Sequence, residues 1–189
     1  MATTFLPQDE PSAFPVVSRD TVYEGAVWDV VRETFDFNGV RLTRDFVDHT
    51  GAVAVVALND QDEVMMIRQY RHAIRTLNWE IPAGLLDIPG EDPLVCGKRE
   101  LAEEADLEAD NWTFLTTLNT TPGGSNEFIT IYLATGLRPV DHAHVRDGEE
   151  AELEQRFVPF ADALHAATTG LIRNQIAVTA LLVAHAHRR

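Results

Sequence analysis

The chain has 189 residues, 45% of them hydrophobic, enough for one domain with a sizeable core and a small extension. Its 30 acidic residues against 15 basic ones give a formal net charge of −15, which argues against nonspecific binding to nucleic acid or to an anionic membrane. The single cysteine, Cys96, excludes an internal disulfide and suits a reducing cytoplasm, MATTFLPQDEPSAFP lacks the regions of a signal peptide, and no apolar run reaches the ~18 residues of a membrane span.

Residues 1–17 carry three prolines among mixed polarity and read as an irregular arm. Residues 18–50 read as a small antiparallel sheet. TVYEGAVWDVVRETFDF alternates in part, Asn38-Gly39 is a hairpin turn signal, and RLTRDFVDH returns as the second strand. The main domain is expected over 51–189. GAVAVVAL (51–58) is a continuous apolar run of strand length, suited to a strand covered on both faces. After a turn at Asn59–Asp62, EVMMIRQY is expected to pair with it and to lead into Arg71.

LNWEIPA (77–83) runs into GLLDIPGEDPLVCGKRELAEEADL (84–107). Pro93 suits a first helical turn, and Glu91 and Asp92 sit where the helix dipole favours negative charge. At 100° per residue, Glu100 and Glu104 fall about 40° apart, with Glu103 beside them. Leu94, Leu101 and Ala105 fall on roughly the opposite side, so one face can be buried while the other gathers carboxylates. Taken alone, E-x-x-E-E also describes a solvated acidic face. Gathered carboxylates repel each other by about 1 kcal/mol per pair in water and by more where water is excluded. A hard divalent cation such as Mg²⁺ relieves that cost.

Downstream, TFLTTLN and FITIYLAT read as strands flanking a Thr121–Glu127 turn, and 140–154 as an acidic surface loop. QRFVPF is a strand, and ADALHAATTG a helix with Gly170 at its end. NQIAVTALLVAHAH is a helix capped by Asn174. His185 and His187 are two apart and face away from each other, so they are not a metal pair.

Gly84, Glu91, Arg99, Glu100, Leu101, Glu103, Glu104 and Leu107 closely resemble the Nudix box, G-x5-E-x7-R-E-U-x-E-E-x-G-U, where U is a bulky aliphatic residue. Two positions depart from it: one extra residue precedes Glu91, and Asp106 stands at the box's last glycine. Aspartate is among the few other residues that accept left-handed backbone angles, so Asp106 is expected to preserve the turn. The W-E-I-P-A-G lead-in at Trp79–Gly84 and Pro122, fifteen residues past Leu107, resemble the ADP-ribose pyrophosphatases of that family.

The resemblance implies an α/β (α+β) fold: a Nudix-type α/β/α sandwich over a mixed sheet, preceded by a small N-terminal antiparallel sheet that serves a homodimer. It implies Mg²⁺ or Mn²⁺ held by Glu100, Glu103, Glu104 and the Ala83 carbonyl, with Arg99 holding a box glutamate. It places Arg71 on substrate phosphate, though the residues alone also allow a solvated arginine at a strand end. The general base is expected in the acidic loop, at Glu150, with Glu149 and Glu152 in reserve. Glu80 is assigned to the nucleobase or to loop support, Trp28 to adenine stacking or to the core, Pro122 to substrate binding, and Ser125 with its loop backbone to the terminal ribose. The implied reaction is hydrolysis of ADP-ribose to AMP and ribose 5-phosphate. Alternatives are another nucleoside diphosphate sugar such as GDP-mannose, a dinucleotide, or a non-catalytic nucleotide-sugar sensor.

Overall fold

The computed structural model describes residues 5–141, 144 and 152–188. The chain divides into two compact units, residues 1–49 with 123–125, and residues 50–122 with 126–189.

The first unit is a three-stranded antiparallel sheet of β1 (Val16–Tyr23), β2 (Asp29–Phe37) and β3 (Val40–Asp48), in the order β1-β2-β3. Asn38 and Gly39 take φ of 49° and 84°, the two positive angles of the tight turn their sequence predicts, and Phe37 faces Val40 across it. Cross-strand ion pairs stitch the sheet, among them Arg32–Asp45 at 2.7 Å. Among its described residues only Val31 is buried, while Val16, Val17, Val22, Tyr23, Val27 and Trp28 are exposed. The 123–125 stretch joins this sheet, with the Val47 amide donating to the Gly124 carbonyl at 3.0 Å.

The second unit is built around β4 (Ala52–Ala57), every residue of which is buried. Successive β4 side chains point to opposite faces. Ala52, Ala54 and Val56 enter one apolar cluster, while Val55 and Ala57 enter another. The second cluster is closed by Leu101 and Ala105 of α1 (Pro93–Ala105), the first by Ala177, Ala180, Leu181 and Ala184 of α3 (Gln175–His187) and by Phe160, Ala163 and Ala167 of α2 (Phe160–Thr168). Helices thus cover both sides of the strands, and the unit is an α/β/α sandwich.

The central sheet has the order β7-β4-β9-β8, with β7 (Ala83–Leu85), β8 (Leu107–Asn119) and β9 (Phe128–Pro139). It is mixed: β4 runs parallel to β9, and the other pairs are antiparallel. A second sheet has the order β10-β5-β6, with β5 (Glu63–Arg71), β6 (Thr76–Glu80) and β10 (Glu154–Pro159). Here the structure corrects the expected pairing of β4 with β5. They do not pair, because both edges of β4 are taken by β7 and β9; only Leu58, just past the end of β4, forms an isolated bridge to Val64.

The helix ends follow their sequence signals. Asp92 accepts from the Leu94 amide at 2.8 Å, Pro93 follows it at the first helical position, and Asn174 accepts from the Ala177 amide at 2.9 Å. Asp106 ends α1 at φ 54° and ψ 35°, its amide donating back to Ala102 and Leu101 carbonyls. Among the described residues no helix is long and apolar enough to cross a membrane.

Candidate active site

The α1 carboxylates are not a solvated face. Glu100 and Glu104 are buried, at 9% and 5% exposure, and Glu103 is partly covered. Their surroundings come from three segments. From β7, the Ala83 amide donates to Glu104 Oε2 at 2.8 Å, so one carboxylate of the helix pins the strand that precedes it. Gly84 follows, and a Cβ there would lie 1.9 Å from Glu100 Cδ and 2.0 Å from its Oε1. Glycine is therefore required by the close approach of the Glu100 carboxylate to the backbone. From the loop before the helix comes Glu91.

Arg99 holds three of these acids. Its Nε and Nη2 donate to the two Glu91 oxygens at 3.2 and 3.1 Å, and its Nη1 donates to Glu100 at 2.5 Å and to Glu103 at 3.0 Å. The forked guanidinium suits this, since it is always charged and donates in two directions. The hydrogen bonds between Glu91 and Arg99 hold the carboxyl below the usual carboxylate range and raise the guanidinium further above its own. Three carboxylates against one guanidinium (−3 against +1) leave this cluster in negative excess, with Glu104 a further acid on the same helix.

Among the described residues no three histidine, cysteine, aspartate or glutamate side chains converge into a ready-made metal cage. The donor chemistry nonetheless fits a hard divalent cation: buried carboxylate oxygens in negative excess, beside backbone that only glycine lets approach. Cys96, in the same helix, is structural. Burial pushes its thiol up to about 12, and its Sγ lies 3.4 Å from the Leu85 carbonyl oxygen, so it is no nucleophile at neutral pH.

Arg71 and Glu80 are brought together. Arg71 Nε and Nη2 donate to the Glu80 oxygens at 2.9 and 2.7 Å, with Glu80 buried and the arginine side chain 45% exposed. Glu80 thus orients Arg71, a partnership unreadable from two residues nine positions apart. Pro122 is exposed in the β8–β9 turn. Ser125 belongs to the first unit, bridged to Val47 of β3, and Trp28 of that unit stacks on His49 with ring centroids 5.0 Å apart. Glu149 and Glu150 lie outside the described residues; Glu152 is described and exposed. Gln155, which carried no local signal, donates to the Glu104 carbonyl at 2.6 Å and so anchors the end of α1 from 51 positions away.

A sandwich carrying this acidic helix turn behind a glycine-bearing strand defines a Nudix domain, and the NUDIX domain family model matches residues 48–178. The chain belongs to the Nudix family. It is 41% identical over 174 residues to the ADP-ribose pyrophosphatase of Mycobacterium tuberculosis (strain ATCC 25618 / H37Rv), covering 92% of this chain and 84% of that protein. It is 31% identical over 182 residues to the GDP-mannose pyrophosphatase of Cronobacter sakazakii (strain ATCC BAA-894), covering 89% and 88%. A solved structure titled as an ADP compounds hydrolase superposes with a TM-score of 0.76 at 24% identity, covering 94% of this chain and 95% of that one, and shares the fold.

Proposed function

We propose that this protein hydrolyses the pyrophosphate bond of ADP-ribose, giving AMP and ribose 5-phosphate, with Mg²⁺ or Mn²⁺ held by Glu100, Glu103, Glu104 and the Ala83 carbonyl. The observation that carries the chemistry is the burial of Glu100 and Glu104 against Ala83–Gly84, where unrelieved negative charge is costly. The substrate rests on the M. tuberculosis relative's name together with the W-E-I-P-A-G lead-in and Pro122.

A divalent cation, which Nudix hydrolases generally need, neutralises phosphate charge and acidifies bound water. The chain's own residues do the rest. Glu104 fixes the Ala83 backbone, and Arg99 sets the orientation of Glu100 and Glu103. Arg71, aimed by Glu80, binds a substrate phosphate through its guanidinium. Glu150 takes the proton from the attacking water, with Glu149 and Glu152 as alternatives. Trp28 is the candidate for adenine stacking, Ser125 for the terminal ribose, and Pro122 a further candidate for substrate binding.

The GDP-mannose pyrophosphatase likeness supports a second reading, another nucleoside diphosphate sugar cleaved by the same machinery. A panel of ADP-ribose, GDP-mannose, other nucleoside diphosphate sugars and dinucleotides, with products resolved by HPLC, separates the two. ADP-ribose is expected to give the highest kcat/KM; a higher value for any other diphosphate rejects the assignment.

The same reading includes a homodimer in the cytoplasm. A three-stranded sheet with one buried side chain has too little core of its own, and its exposed Val16, Val17, Val22 and Tyr23 suit cover by a second copy. Light scattering is expected to give twice the 21.0 kDa chain mass. A monomer at micromolar concentration would remove the second copy from the account.

A further inference from the structure

Asp106 does more than end a helix. Its backbone serves the cap: the amide donates to the Ala102 carbonyl at 3.1 Å, and its own carbonyl accepts from the Val140 amide at 3.1 Å. A glycine at φ 54° would make both bonds with less strain. The side chain makes contacts that glycine lacks. Oδ1 accepts from the His144 amide at 3.0 Å, and Oδ2 lies 3.4 Å from Gln155 Nε2, whose shorter bond, 2.6 Å, goes to the Glu104 carbonyl. His144 and Gln155 are described residues that lie before and after 145–151, and the sequence between them includes Glu149, Glu150 and Glu152.

We propose that Asp106 is a positioning residue: its carboxylate fixes His144 and Gln155 against the last turn of the helix that bears Glu103 and Glu104. This gives a reason for an aspartate where the Nudix box has glycine. The side chain accepts backbone strain in return for joining the two flanks of the acidic stretch to the metal-binding helix. Gln155 completes the junction by bonding the main chain of Glu104 itself. The inference rests on the function proposed above, since the flanked stretch carries the proposed base. Small displacements of a reacting group suffice to slow a reaction without weakening substrate binding.

The test compares D106G and D106N with the unaltered protein in three measurements: thermal melting, amide hydrogen exchange at His144 and Gln155, and kcat and KM for ADP-ribose with Mg²⁺. D106G suits the backbone angle and is expected to melt at or above the temperature of the unaltered protein. It is expected to exchange about tenfold faster or more at His144 and Gln155, and to lose about tenfold or more in kcat with KM within about twofold. D106N keeps an acceptor for the His144 amide and is expected to recover most of the kcat. Unchanged exchange in D106G overturns the proposal, as does unchanged kcat or a loss confined to KM. Should the unaltered protein cleave no nucleoside diphosphate, the function proposed above falls. Faster exchange in D106G would still uphold the junction, and unchanged exchange would still overturn it.

Discussion

Replacing Glu104 by glutamine is expected to lower kcat for ADP-ribose by about a thousandfold while leaving the melting temperature nearly unchanged. Glutamine has the same shape and keeps a carbonyl oxygen that can accept from the Ala83 amide, now 2.8 Å from Glu104 Oε2. What it lacks is charge. At a buried position in a cluster that is already negative, loss of one charge would remove a group proposed to bind the ion and would relieve repulsion, so folding is expected to be spared and catalysis not. Steady-state kinetics beside a thermal melt reads both effects. Turnover within a few-fold of the unaltered protein would end the assignment of Glu104 to the metal site. A collapse of the melting temperature would instead make the Ala83 contact the residue's main task.

Gly84→Ala is expected to be nearly as damaging to turnover, by a different route. The added methyl would sit 1.9–2.4 Å from Glu100 Cδ, Oε1 and Cγ, so the glutamate side chain must swing away. That movement is inexpensive for the fold, because the clashing atoms are the far end of a flexible side chain. It removes Glu100 from beside Gly84 and from its 2.5 Å bond with Arg99. The expected result is a fall in kcat of about a hundredfold or more, weaker Mn²⁺ binding by calorimetry, and a stability loss of about 1 kcal/mol. Unaltered Mn²⁺ affinity in this variant would show that Glu100 does not bind the ion through its present position.

The features that were legible in the sequence are those set by local chemistry. Asn38-Gly39 makes its turn because two positive φ angles in succession favour those residues, and Asp92, Pro93 and Asn174 mark helix starts because each answers the open amides of a first turn. The unbroken apolar run of β4 announced cover on both faces. The box spacing located Glu100, Glu103 and Glu104, but not that two of them are buried, since a periodic acid reads the same whether water or another strand lies over it. Strand partners were the weak point. The short Asn59–Asp62 turn invited a β4–β5 hairpin, whereas β4 takes its partners from Ala83–Leu85 and from Phe128–Pro139. Pairings across such distances depend on which edge is vacant, and no run of residues encodes that. The Arg71–Glu80 pair and the Gln155 contact were hidden for the same reason.

The placement of Glu104 bears on how this protein comes into being. Its side chain bonds a residue 21 positions earlier and its main chain one 51 positions later. Contacts that close long loops bear their entropic cost before they return any gain. The last turn of α1 is therefore held from segments 21 and 51 positions away, and a chain cut short before Gln155 would lack the second of these anchors.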